Sequence, residues 1–164
     1  MEAPHYTRRM RSIPVVAALA AAALIAPAAN GAIAPNRSIA GVAIGMTQAQ
    51  VRAVLGRPVR VIHRPNEIAG TATEFRYSRL AVVFAGDANV TSVTTTRTRE
   101  RTRRGVGVGS AEADVTRLVG DVTCATELGR RSCHTRDFLP GARLTVLDIR
   151  GGRVWRVLVG IVID

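Results

Sequence analysis

The sequence predicts an α+β fold of two tandem units, each a short helix followed by a four-stranded antiparallel meander, with the helices on one face of the sheet. Three observations predict it. Gly41 to Gly56 (GVAIGMTQAQVRAVLG) is echoed 64 positions later by Gly105 to Gly120 (GVGVGSAEADVTRLVG), and the same offset pairs Arg79-Leu80 with Arg143-Leu144 and Val90 with Val154. One offset serving both ends of a segment points to duplication. Each copy carries an apolar stripe at helical spacing, and each is followed by short runs of valine, threonine and aromatic residues separated by turn residues.

The chain opens on an export pattern. Arg8, Arg9 and Arg11 precede an apolar run from Ile13 to Ala26, and small residues with Pro27 follow. That is the layout of a secretory signal peptide over residues 1–31, and the run falls short of the ~20 residues that span a bilayer. Arg8-Arg9 also fits a twin-arginine signal, Met10 is a second possible start, and cleavage is expected between Ala29 and Ala32. No membrane span is expected in the mature chain.

The first unit is expected over residues 32–96. Thr47 caps a helix and Gln50 completes a capping box; Val51, Val54 and Leu55 form the stripe; Gly56 and Pro58 end it. Strands are expected at Val59 to His63, Thr71 to Tyr77, Leu80 to Ala85 and Val90 to Thr96. The second unit spans 105–164, with Ser110 as cap and Glu112 and Asp114 in the first turn, where carboxylates suit the helix dipole. Its stripe is Val115, Leu118 and Val119, and its strands are Val122 to Thr126, Cys133 to Phe138, Arg143 to Ile149 and Val154 to Ile163. The last strand is apolar on both faces, which predicts a central place.

The junction, residues 97–104, lies in the run TTTRTRERTRR. Arg97, Arg99, Arg101 and Arg103 alternate, so an extended chain would align all four guanidiniums on one side, as a solvated edge or as a ladder for an anionic partner. The formal charge is +11 and all 23 basic residues are arginine. Without lysine, Schiff-base and P-loop chemistry are excluded. A basic exported chain suits an acidic protein surface or an anionic cell-envelope polymer, whereas export removes nucleic acid as a partner.

Cys124 and Cys133 are the only cysteines. In an exported chain they are expected to form a disulfide between neighbouring strands. Zinc needs more ligands than this pair and one neighbour supply, and no CxxC is present. Cys133 and His134 are adjacent on a strand, so they point to opposite faces and cannot share a proton. His63 reads as a strand-end surface residue. Gly105, Gly107 and Gly109 follow an arginine run, where a phosphate loop would follow an apolar strand, so they read as a helix-entry turn. Neither catalytic residue nor cofactor is expected.

The segment Gly45-Met46-Thr47 through Val51, Leu55-Gly56 and Pro58, followed by strands, resembles two related families. One is the small lipoprotein subunit of the β-barrel assembly machine, and the other is the secreted β-lactamase inhibitory protein, a tandem of two such units. The resemblance implies a non-catalytic protein that binds other proteins through a sheet surface and its loops. It also implies more helix than the sequence displays, with room for one in the entry Arg37 to Val42. The family's aromatic-rich binding face has no counterpart here, so activity against β-lactamase is not implied.

The function expected is an exported, protein-binding or inhibitor-like module. The alternatives are an envelope protein that binds anionic polymer through arginines, and an enzyme of unstated type. By strand alternation the partner surface should carry Glu74 and Arg76, with Arg60 beside them and Arg97, Arg99, Arg101 and Arg103 at its border.

Overall fold

The computed structural model describes residues 32–67, 70–86 and 88–163. The signal peptide and its cleavage zone lie outside the described residues. The chain starts with three two-residue strands, β1 (Ile33–Ala34), β2 (Ser38–Ile39) and β3 (Val42–Ala43), then α1 (Gln48–Leu55). β4 (Arg60–Asn66), β5 (Gly70–Tyr77), β6 (Leu80–Ala85) and β7 (Asn89–Thr95) follow. After α2 (Glu112–Leu118) come β8 (Thr123–Glu127), β9 (Arg130–His134), β10 (Arg143–Arg150) and β11 (Arg153–Ile161).

The expected α+β fold of two helix-plus-meander units is overturned. The protein is mostly β, with one eight-stranded antiparallel sheet in the order β4-β5-β6-β7-β11-β10-β9-β8 and a separate three-stranded sheet, β1-β2-β3. The helices are only 8 and 7 residues long. The sheet is continuous because β7 pairs with β11, Val157 facing Thr95 and Val159 facing Val93. These backbone hydrogen bonds join the two expected units in one sheet. β11 sits at the centre, as its apolar character on both faces predicts. The entry Arg37 to Val42, where the resemblance left room for a helix, is strand and turn. Ala40 and Gly41 there take positive φ, 52° and 81°, which a helix does not accommodate.

Alternation sorts the sheet into two faces. On one face a single register row passes through Tyr77, Leu80, Thr95, Val157, Leu147 and Cys133. Phe75, Val82, Val93 and Val159 form the row beside it, all fully buried. Val51 of α1, Val115 of α2 and Ile33, Ile39 and Val42 of the small sheet join the same apolar cluster. Phe75 and Phe84 meet edge to face at 4.8 Å, the arrangement that ring quadrupoles favour.

Local chemistry explains the helix ends. The Thr47 hydroxyl accepts from the Gln50 amide while the Gln50 side chain accepts from the Thr47 amide, a complete capping box. The second helix differs from expectation, because its N-cap is Ala111 and no side chain caps it. Ser110 turns away, its hydroxyl accepting from the Gly107 amide and from Arg101. Gly107 is required by close approach, since a Cβ there would lie 2.4 Å from the Glu100 carbonyl oxygen. Val54, expected in the first stripe, is 45% exposed, while Val51 and Leu55 turn inward.

Strand ends shift in two places. β9 runs Arg130–His134 where Cys133 to Phe138 was expected, because Leu128 and Gly129 both take positive φ and close a tight hairpin. β4 runs on to Asn66, past the expected end at His63, and includes Pro65, whose missing donor an edge strand tolerates.

Cys124 and Cys133 form the expected disulfide, directly opposite one another in the β8–β9 pair with α carbons 4.0 Å apart. Converting both to serine is expected to lower stability by about 2–3 kcal/mol, leaving the far-ultraviolet spectrum of the folded protein unchanged. Chemical denaturation under non-reducing conditions measures it.

Candidate functional site: the open face of the sheet

The register that buries Phe75 turns its alternate residues the other way. Across six strands one row reads Arg60, Arg76, Ala81, Thr94, Leu158 and Val146. Glu74 and Val83 lie in the next row. The middle of this face is made of small or apolar side chains, all half-buried, and charged residues rise around it.

Two carboxylates on the face, Glu74 and Asp148, are held by arginine. Glu74 accepts from Arg76 Nε at 2.7 Å and stands 3.8 Å from Arg64. Asp148 accepts from Arg156, its direct cross-strand neighbour. Two hollows adjoin at Arg156. One, about 450 Å³, has Arg76, Arg79 and Arg156 around Ala81, Val83 and Thr94. The other, about 420 Å³, holds Trp155 among Arg130, Arg150 and Arg156. Trp155 occupies the irregularity where Ile149 pairs with Val154 and Asp148 with Arg156, so no β10 residue opposes it. The Arg150 and Arg156 guanidiniums lie 4.7 and 4.9 Å from its ring centroid, within cation–π range.

Of the residues singled out from sequence, Arg60, Glu74 and Arg76 share this face as expected. The arginine ladder does not form. The stretch bends at Thr98–Arg99, bridges to Gly107 at Arg101 and turns at Arg103–Arg104, and the buried Glu100 draws cations to itself. Arg97 reaches Glu100 at 3.4 Å and Arg99 at 3.1 Å, while Arg97 Nε also donates to the Ser78 carbonyl. Arg101 turns to the carbonyls of Gly105 and Val108. Arg103 stands apart, at a different cleft. Arg79, Arg150, Trp155, Arg156 and Asp148 were missed. The signal available was the alternation of Asp148, Arg150, Arg156 and Leu158, which the doubly apolar look of the last strand concealed.

His63, His134, Glu112 and Tyr77 have structural partners. His63 Nδ1 bonds the Thr73 hydroxyl at 2.8 Å across β4 and β5. His134 Nδ1 donates to the Arg136 carbonyl, and its ring rests on Phe138. Glu112 lies near the two sulfurs, but these are bonded to each other and Glu112 accepts two bonds from Arg131. That trio is therefore an interlock between α2 and β9 and lacks free thiolates to hold a metal. Burial raises the Tyr77 phenol above its ordinary pKa, opposed by the nearby Arg52 charge. Tyr77 stays neutral and donates to the Gly56 carbonyl.

No protein-family model matches the chain, and no curated protein matches it. Two solved structures share part of its shape. An extracellular protein containing a SCP domain from Bacillus anthracis str. Ames gives a TM-score of 0.48 at 10% identity, covering 72% of this chain and 44% of that one. A cysteine-rich secretory protein from Staphylococcus aureus subsp. aureus Mu50 gives 0.43 at 10% identity, covering 72% and 43%. The chain thus spans less than half the length of either. Among the described residues no helix is long and apolar enough to cross a membrane. The Cys124–Cys133 disulfide fits an extracytoplasmic location.

Proposed function

We propose that the protein is an exported, non-enzymatic binding module of the inhibitor-like kind, whose open sheet face holds an acidic surface of a protein partner. The observation that carries this is the excess of arginine over carboxylate around an apolar floor. Arg76, Arg79, Arg130, Arg150 and Arg156 line the two adjoining hollows, against Glu74 and Asp148. Arginine and tryptophan are the residues that most often anchor protein interfaces. A floor of small and apolar side chains, Ala81, Val83, Thr94 and Leu158, suits a protein surface better than a hydrated polymer, which offers little to bury.

The signal-peptide pattern and the disulfide support export. The likeness of Gly45 to Pro58 to families that bind proteins through a sheet surface supports the mode. The test is charge reversal of Arg76 and Arg156 to glutamate, with affinity measured against the partner recovered from the native extracytoplasmic fraction. The double variant is expected to bind at least ~30-fold more weakly; it should melt lower, because Glu74 and Asp148 lose their pairing arginines, while keeping the folded far-ultraviolet spectrum at the assay temperature. Wild-type binding should persist at physiological salt. Unchanged affinity in the double variant overturns the proposal.

A further inference from the structure

Another cleft, of about 380 Å³, shares no lining residue with the Arg156 hollows and opens between the β1–β2 turn, the end of α2 and the residues after β9. Three segments bring arginines or an amide to it: Arg103 and Arg104 from the turn before α2, Arg136 after β9, and Asn36 from the β1–β2 turn. Leu118 and Val119 supply apolar wall.

Asn36 is the fixed element. The Thr145 hydroxyl accepts from the Asn36 amide at 2.7 Å, so its own proton is free to go to Asn36 Oδ1, 3.1 Å away. Thr135 repeats the logic: its hydroxyl accepts from the Thr145 amide at 3.0 Å and donates to the same Oδ1. With Oδ1 claimed by two hydroxyls, the side-chain NH₂ is the end left over, and it has no protein partner among the described residues. Thr135 and Thr145 are buried, so this donor is held rigidly. Among the described residues the Arg103 and Arg136 guanidiniums have no ion pair or hydrogen bond, and Arg104 donates to the Leu118 carbonyl at 3.5 Å. Among the described residues Asp121 is the one carboxylate lining the cleft, against three arginines, so the balance there is positive.

We infer that this cleft binds a phosphate ester, the phosphoryl oxygens taken by Asn36, Arg103 and Arg136 and the organic part resting on Leu118 and Val119. Donors converging from three segments suit a tetrahedral oxyanion, whereas a carboxylate would be matched by one planar arginine fork. The site is independent of the open face. An amphiphile's headgroup and a soluble or polymer-borne phosphate offer the same chemistry.

Calorimetric titration of the full protein with inorganic phosphate and with hexyl phosphate tests it, alongside co-sedimentation with phosphatidylglycerol–phosphatidylcholine vesicles. Hexyl phosphate is expected to bind one-to-one and more tightly than inorganic phosphate. Asn36→Asp keeps the acceptor oxygen and tolerates the positive φ of 61°, yet replaces the donor by an anion. It should weaken binding at least ~10-fold, as should the exposed pair Arg103→Ala with Arg136→Ala. Vesicle binding lost in that pair assigns the phosphate to a lipid headgroup, and hexyl phosphate binding without vesicle binding assigns it to a soluble or polymer ester. Absence of hexyl phosphate binding at millimolar concentration, no preference over inorganic phosphate, or affinity unmoved by Asn36→Asp overturns the inference. Arg76→Glu with Arg156→Glu should leave this binding unchanged, so failure here and failure of the open-face proposal are separable.

Discussion

Replacing Glu100 by alanine is expected to destabilise the protein by about 3–5 kcal/mol, the cost of breaking a buried ion pair from one side. Glu100 is 2% exposed and accepts from Arg97, Arg99 and the Thr95 hydroxyl. Its removal leaves Arg97, itself mostly buried, without its counter-charge. The stretch between β7 and α2 loses the cluster that pins it to the end of β7. Glu100→Gln, which keeps the shape and one acceptor, should cost less. Urea denaturation of both variants measures the difference. A loss below about 1 kcal/mol for the alanine variant would equal that of an exposed pair and contradict the cluster's structural role.

Phe75→Ala is the second large effect, at about 3–5 kcal/mol. The ring is fully buried, meets Phe84 edge to face, and carries the Arg52 guanidinium 4.4 Å above its centroid. Truncation removes those contacts and leaves a cavity under α1, where surrounding strands can relax only in part. Because Phe75 belongs to the one cluster that includes Val51 and Val115, unfolding should remain a single transition at lower denaturant concentration. Two separated transitions in the variant would show that the halves of the sheet fold independently.

Much of the sheet was legible in the sequence because short valine- and threonine-rich runs alternate cleanly. Leu80, Val82 and Phe84 point inward together, and Leu80–Ala85 is β6 as expected. What the sequence hid was how the runs combine. Nothing local to Val93 or Val159 announces that they face each other across 66 positions, yet that pairing turns two supposed units into one sheet. The small sheet was hidden for another reason. Its strands are two residues long, and the glycines that allow their turns also resemble the lead-in to a helix. For the site, period-two alternation correctly placed Arg60, Glu74 and Arg76 together. It failed for Arg97 to Arg103 because alternation presumes an extended backbone, and a buried Glu100 makes a bent one more favourable.

Arginine footprinting of the complex tests the central claim most directly. The protein, bound to its captured partner, is treated with phenylglyoxal and each arginine's modification is compared with that of the free protein by mass spectrometry. Arg76, Arg79 and Arg156 on the open face are predicted to become protected, while Arg52 and Arg117 on the two helices react as before. Protection of Arg52 and Arg117 with Arg76 and Arg156 still fully reactive would place the partner on the helical side and contradict the account.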